Sequence, residues 1–333
     1  MKKILLFIAF ISISLPQLFA QENTVSAYQA GAYQPGLLNV RDLSAVDPGL
    51  YFLDYNYWNT SNSYYDRNGQ KIEGFESAQG HIDISQQVGG YTNVPVIFWV
   101  SKFKIFGAKY MASLAPVFMS SNYKMNIHAD RSDSTAVSMG NTGGLGDIAV
   151  IPLALSWSFG NNIDLAFYYT FYAPTGRYEN GAGDNVGRGY WTHQFQLPFY
   201  YYLKEKSTAF VVVPTFEINS EIEHSDVIPG SRMTLEYGIS QYVNSWLELE
   251  ILNGHNWQVG DDKGDDVWWR ETQMYTKDKT NTVSFGVGVW PWAGRLNIRA
   301  KYAMDYGVTQ RYKSNFWSAS IIFIPNLLTE SGK

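Results

Sequence analysis

The chain has 333 residues, 16% of them aromatic (24 Tyr, 19 Phe, 11 Trp), no cysteine, and 25 basic against 30 acidic side chains. An acidic chain suggests no nucleic-acid partner, and the lack of cysteine excludes a disulfide framework, thiol catalysis and thiolate metal sites. So many rings at a mean hydropathy of only −0.21 suit a wall whose two faces meet different solvents better than a single soluble core.

The chain opens with Met1-Lys2-Lys3, an apolar core over residues 4–15, and a small residue, Ala20, before polar Gln21-Glu22-Asn23. This is the layout of a secretory signal peptide cut after Ala20; the apolar stretch falls short of the ~20 residues a membrane helix needs. Its removal leaves 313 residues and a net charge of −7, from 23 basic and 30 acidic residues. Residues 21–47, which include AYQAGAYQPGLLNVRDLSAVD (27–47), are expected in the periplasm or the lumen, 48–325 form the wall, and 326–333 are a C-terminal tail.

Beyond the leader, period-two alternation recurs, the signature of strands with one apolar face. In NIDLAFYYTFYAPT, Ile163, Leu165, Phe167, Tyr169 and Phe171 oppose Asp164, Ala166, Tyr168 and Thr170; GRLNIRAKYAMDYG sets Leu296, Ile298, Ala300, Tyr302 and Met304 against Asn297, Arg299, Lys301 and Asp305. About twelve segments have the ~9–11 residues that cross a bilayer when tilted: 48–59, 92–102, 105–119, 145–159, 162–174, 190–203, 208–219, 231–242, 245–257, 281–290, 295–306 and 315–325.

The connections set the class. Links after odd-numbered segments are mostly long and polar, such as SNSYYDRNGQKIEGFESAQG and GDDKGDDVWWRETQMYTKDKT, whereas those after even-numbered segments shrink to a few residues such as Gly160-Asn161 and Val243-Asn244. Long loops at one end and tight turns at the other predict an all-β transmembrane antiparallel barrel in the outer membrane, with both termini periplasmic. A soluble barrel or sandwich alternates too, but it does not predict the loop asymmetry, nor the Tyr and Trp near strand ends (Trp58, Trp157, Trp191, Trp246, Trp290, Trp292, Trp317) that suit membrane interfaces.

FYAPTGRYEN at 171–180 and Gly143-Gly144-Leu145-Gly146-Asp147 look like phosphate loops, but no helix follows either and the chain goes on as strand. Pro174 then ends a strand and Thr175-Gly176 opens an outer loop, whose charges Arg177, Asp184 and Arg188 hold it at the mouth. Asp261, Asp262, Asp265 and Asp266 form an acidic outer loop that lacks EF-hand spacing; a solvated loop is the plainer reading and a Ca²⁺ site the other. The five histidines show no metalloprotease spacing, and His128 with Ser132 or Ser134 is the only local candidate for hydrolase chemistry. No catalytic residue, cofactor or resident metal is assigned.

A set of inward charges is more informative. Glu248 and Glu250 on the ninth segment lie at the height of Arg299 and Lys301 on the eleventh, across inward Gly286 and Gly288 of VSFGVGVW. Long side chains are expected to meet over those glycines across two strand spacings, ~10 Å, either as a structural network filling the barrel or as a selectivity constriction. Asp54, on the first segment, is expected to face the same lumen.

PGLYFLDYNYW (48–58), IFWVSKFKIFGAKY (97–110), GLGDIAVIPLALSWSFG (144–160) and FYAPTGRYENGAGDNVGRGYWTHQ (171–194) together resemble one family of Gram-negative outer-membrane proteins, described as involved in the meta-pathway of phenol degradation and regarded as transporters. The resemblance implies an outer-membrane barrel that helps small apolar or aromatic molecules across the lipopolysaccharide layer; its partners would be membrane lipid and a small hydrophobic solute. One departure is the end of the chain: IIFIPNLLTESGK runs past Phe323, where family members tend to stop on an aromatic residue. A surface-binding protein anchored by the barrel is the reading from another class, and an outer-membrane hydrolase is the third.

Overall fold

The computed structural model describes residues 31–77, 80–129, 134–180, 182, 185–264, 277–292 and 294–325. The strands are β1 (Gly49–Tyr65), β2 (Gly74–Ser77), β3 (Gly80–Ile105), β4 (Ala108–Ala115), β5 (Phe118–Ala129), β6 (Ser134–Leu145), β7 (Ile148–Phe159) and β8 (Ile163–Ala173), followed by β9 (Thr192–Gln196), β10 (Phe199–Leu203), β11 (Thr208–Asn219), β12 (Arg232–Tyr242), β13 (Leu247–Gln258), β14 (Lys279–Trp292), β15 (Leu296–Thr309) and β16 (Arg311–Phe323). All belong to one antiparallel sheet, which closes through β1, paired with β3 on one edge and β16 on the other.

Three crossings of the wall are interrupted once each: β4 continues into β5 across Pro116-Val117, β6 into β7 across Gly146-Asp147, and β9 into β10 across Leu197-Pro198. The small β2 only flanks β3. Counted as crossings, the wall is a closed twelve-stranded barrel. Closure lets the crossings satisfy their backbone groups in lipid, and the alternation decides which face meets it. In β8, Asp164, Ala166, Tyr168 and Thr170 are buried toward the lumen while the residues between them lie on the outer face.

Two of the links expected as loops are instead strand. β1 runs on to Tyr65, β3 begins at Gly80, and β5 and β6 form a hairpin, so that β1, β3, β5 and β6 pair side by side past the rim as a wing. In HIDISQQV, Ile82, Ile84 and Val88 alternate with Asp83, Ser85 and Gln87, so the period-two signal of a strand runs on past the rim.

Prolines interrupt the ladder along one rung. Asn93 pairs with Phe118 and Ile97 with Leu114, in unbroken register, yet no pairing joins residues 94–96 to 115–117 between them. In that register Pro95 falls opposite Pro116, and neither has an amide hydrogen to give. Two crossings further on, Pro174 follows the end of β8, and the Thr175 hydroxyl takes over: Oγ1 donates to Gly146 O at 3.0 Å and accepts from Ile148 N at 3.1 Å.

Candidate functional site

The lumen is divided lengthwise. Along β11 to β16 it holds residues 31–47 as irregular chain, whose backbone is tied to the wall by polar side chains. Tyr33 N donates to Glu217 Oε1 (3.0 Å), Gly36 N to Glu236 Oε1 (2.7 Å) and Val40 N to Glu250 Oε2 (3.0 Å), while the Tyr33 hydroxyl also bonds Glu236. Lys301 Nζ donates to Leu37 O (3.0 Å) and Leu38 O (2.6 Å), and the Tyr200 hydroxyl to Val40 O (2.8 Å). A chain without secondary structure must find partners for its amides and carbonyls in a dry space, and here wall carboxylates take the amides and wall donors take the carbonyls.

This plug runs the length of the barrel. Gly31 lies against Glu217 and Arg232, at the long-loop ends of β11 and β12. Arg41, ten residues on, reaches Glu248 (3.0 Å) and Ser207 O (3.1 Å) at the tight-turn end. The described part of the segment leading into β1 therefore lies in the lumen and runs from the long-loop side to the tight-turn end.

The four inward charges meet in part as expected. Arg299 Nη1 bonds Glu250 Oε2 at 2.9 Å and Nη2 bonds Glu248, all three nearly fully buried. The glycines between them make the room: a Cβ on Gly286 would sit 2.7 Å from Glu250 Cγ, and one on Gly288 3.1 Å from Arg299 Cγ. Lys301 holds plug carbonyls, and Glu248 and Glu250 are shared between Arg299 and the plug.

Asp54 does not join them. Tyr51, Leu53, Tyr55 and Tyr57 are the inward residues of β1; Tyr55 bonds Asp42 and Tyr57 faces Leu37 O, both on the plug. Period two then puts Asp54 on the outer face, where it accepts from Asn56 Nδ2 and Asn93 Nδ2, both at 2.7 Å. Asp54 was expected in the lumen, but that face of β1 carries the tyrosines that bond the plug.

At the mouth, Asp147 gathers the outer loop. Its carboxylate accepts from Gly176 N (3.3 Å) and Arg188 N (3.1 Å) and faces Arg188 Nε at 3.5 Å. Two of the strings that carried the family resemblance thus meet in space. Burial works against the charge of Arg188, but Tyr190, Glu217 and Asp147 nearby hold its guanidinium above the ordinary value, and the group lies over the rings of Tyr172 and Tyr190. Arg177 Nη2 reaches Thr142 Oγ1 at 3.2 Å; Asp184 lies outside the described residues.

The remaining candidates are placed singly. Asp261 pairs with Lys277 at 3.1 Å, and Asp262 accepts from Gly230 N and Gln258 Nε2. Asp265 and Asp266 lie outside the described residues. His128 Nδ1 lies 3.0 Å from Thr135 Oγ1, and Ser132 is again outside the described part. Sequence reading missed Glu217, Glu236 and Asp42, although Glu217 and Glu236 sit at inward positions of alternating strands and carried the same signal as Glu248.

Beside the plug lies a cavity of about 430 Å³, bounded by β1, β3, β4, β7, β8 and β9. Leu53, Val94, Val96, Ala115, Val117, Ala149 and Ile151 line it together with the rings of Tyr55, Tyr57, Tyr168 and Tyr172. At the tight-turn end, plug residues Leu43 and Val46 pack against Tyr51, Val100, Met111, Ala154, Ala166 and Tyr168, all six buried, and form a floor. The charged half of the lumen is filled, and the open half is lined by aliphatic side chains and tyrosine rings, with uncharged polar groups such as Asn59, Gln194 and Gln196 and the plug's Asp42 among them.

Residues 63–321 match the family model described as "Putative MetA-pathway of phenol degradation". The chain belongs to that family. Among solved structures it is similar to an outer membrane channel from Pseudomonas putida F1, at 17% identity and a TM-score of 0.63, over 88% of this chain and 99% of that one. A FadL homologue from Pseudomonas aeruginosa matches at 10% identity and a TM-score of 0.44, covering 84% of this chain and 90% of its own. No curated protein matches. The fold is that of an outer-membrane β-barrel, shared with channel proteins.

Proposed function

We propose that the protein is an outer-membrane channel that admits small hydrophobic or aromatic compounds by diffusion, with the cavity beside the plug as the transit site. The observation that carries this reading is the division of the lumen. The ionic side chains of the β11–β16 half are engaged by the plug or by one another, and the space left open is walled by aliphatic side chains and tyrosine rings. A space of about 430 Å³ falls in the range of small-molecule sites, and a barrel of this size holds little more than one small ligand. In this reading Glu248, Glu250, Arg299 and Lys301 act as anchors of the plug, the loop bearing Arg177 and Arg188 shapes the mouth, and the carboxylate that lines the cavity, Asp42, is held by Asn39 and Tyr55.

The test is uptake of radiolabelled toluene by cells with and without the protein. Expression should speed uptake, and Ala149→Trp, which places an indole in the cavity, should remove most of the gain while the barrel still assembles. Equal uptake with and without the protein would refute the channel reading and favour a barrel that only anchors surface loops.

A further inference from the structure

At the tight-turn end, which faces the periplasm in outer-membrane barrels, the foot of the plug stands in an open basin of about 790 Å³. The turns after β10, β12 and β14 enclose it, and its cations are Arg41 of the plug and Lys204 and Lys206 of the first of those turns. The single carboxylate among the described lining residues is Glu205, which is exposed. The basin shares no lining residue with the transit cavity, and passage of a solute makes no use of it.

Arg41 arrives there with donor capacity to spare. Its Nε bonds Ser240 Oγ (2.8 Å) and Glu248 Oε1 (3.0 Å), and Nη2 bonds Ser207 O (3.1 Å), but among the described residues Nη1 bonds nothing. Glu248 is in turn shared with Arg299, so it neutralises neither arginine alone. Lys206 Nζ stands 3.5 Å from the buried Asp164 carboxylate and 4.7 Å from the centre of the Tyr202 ring. Lys204 is exposed and has no ion pair among the described residues. The indole Nε1 of Trp290, also in the lining, is buried without a hydrogen-bond partner.

The backbone shows that these side chains are kept at a cost. Lys204, Glu205 and Lys206 all have positive φ, at 50°, 55° and 67°, a conformation that glycine adopts freely and that strains a residue with a Cβ. Three other tight turns place glycine at positive φ, with Gly107, Gly160 and Gly294. Strain of this kind points to a task for the residues that bear it, and two ammonium groups beside a half-used guanidinium suit the capture of an anion.

We propose that the basin binds a phosphate group and, through Arg41, holds the foot of the plug. A tetrahedral oxyanion accepts from several directions at once, which matches a guanidinium from the plug, two ammonium groups from a turn and the hydroxyl of Ser207. Two sources bring the same chemistry to this place. Exposed Trp246 and Trp292 at the enclosing turns set the height of the membrane interface, where phospholipid headgroups lie, and the periplasm supplies free phosphate. A ligand that binds only when Arg41 is seated favours the docked plug by linkage.

The test is calorimetric titration of the folded full-length barrel, in a maltoside detergent, with sodium phosphate and separately with short-chain phosphatidylglycerol. Lys204→Gln with Lys206→Gln should weaken binding about tenfold, from two largely exposed charges. Lys102→Gln with Lys104→Gln removes two exposed lysines of β3 that lie outside the basin and should leave binding unchanged. Should the first pair fail to fold, Lys204→Gln alone should still weaken binding about threefold. At saturation the ligand should slow protease cleavage within residues 31–47. Binding of phosphate alone identifies a free ion, binding of phosphatidylglycerol alone a lipid headgroup, and either supports the site. Saturable binding of neither, equal weakening by the two lysine pairs, full-strength binding to Lys204→Gln where it stands in for the first pair, or unchanged proteolysis at saturation would overturn it.

Discussion

Replacing Lys301 by Met tests what holds the plug. The Lys301 side chain is almost fully buried and its ammonium donates to two successive plug carbonyls, Leu37 O and Leu38 O. Methionine keeps the length and apolar bulk of the stem, so packing changes little and the loss is that of the two bonds. Hydrogen bonds to a charged donor contribute ~1.5–3 kcal/mol each, so the low end gives about 3 kcal/mol, or roughly a 150-fold shift from docked to undocked plug at ~1.4 kcal/mol per decade. The Tyr57 hydroxyl, 3.5 Å from Leu37 O, is too distant to compensate. Limited proteolysis of the folded barrel should cut within residues 31–47 far faster in K301M than in the wild type, and planar-bilayer recordings should show longer open times. A variant with unchanged proteolysis and conductance but a lower melting temperature would refute the reasoning, since the bonds would then brace the wall alone.

Three further outcomes are expected. Arg299→Gln alone leaves Glu248 and Glu250 buried with reduced compensation and should cost about 3–5 kcal/mol, whereas Arg299→Gln with Glu248→Gln should cost less; strictly additive losses in heat denaturation of the refolded barrel would contradict the shared network. At the mouth, burial opposes ionisation of Asp278, but Arg232 and Arg311 outweigh it and hold its carboxyl below the ordinary 3.8. A depressed value means the contribution to stability is full above 3.8 and is lost as pH falls through the folded value, so Asp278→Asn should flatten the acid limb of a melting-temperature profile; an unchanged limb would count against the cluster. Thr175→Val removes a hydroxyl that serves Gly146 O and Ile148 N, should cost ~1–2 kcal/mol, and should expose the loop after Pro174 to protease; a loop as resistant as the wild type would leave the bridge without a role.

The wall was legible because the membrane imposes contrast on it. Ile163 to Phe171 at alternate positions announces a lipid face, and the Gly160-Asn161 and Val243-Asn244 turns announce one tight end, so the twelve spans follow from local pattern. The wing was missed although part of it alternates, with Tyr123, Met125 and Ile127 against Lys124, Asn126 and His128, because chain beyond the length of one membrane crossing reads as loop. Asp54 was misplaced because its charge was read without its neighbours: Tyr51, Tyr55 and Tyr57 also alternate, and their hydroxyl partners on the plug decide the face. Segment 31–47 has neither period two nor a helical period. Its position is written in the wall, through inward acids on β11, β12 and β13, rather than in its own residues.

That division of information has a physical cause. Regular structure inside the lumen would satisfy its own backbone and need only an apolar surface to pack on. An irregular segment presents bare amides and carbonyls at intervals set by its own turns, and the wall must meet each with a group of the right sign. Glu217, Glu236 and Glu250 meet Tyr33, Gly36 and Val40 amides, and Lys301 and Tyr200 meet the carbonyls of Leu37, Leu38 and Val40. A mismatch at any one leaves a buried polar group unpaired on both sides, which makes the docked register specific. Inward charges that looked like a constriction are therefore consumed by the segment that narrows the lumen, and the surface left for a solute is the one that lacks them.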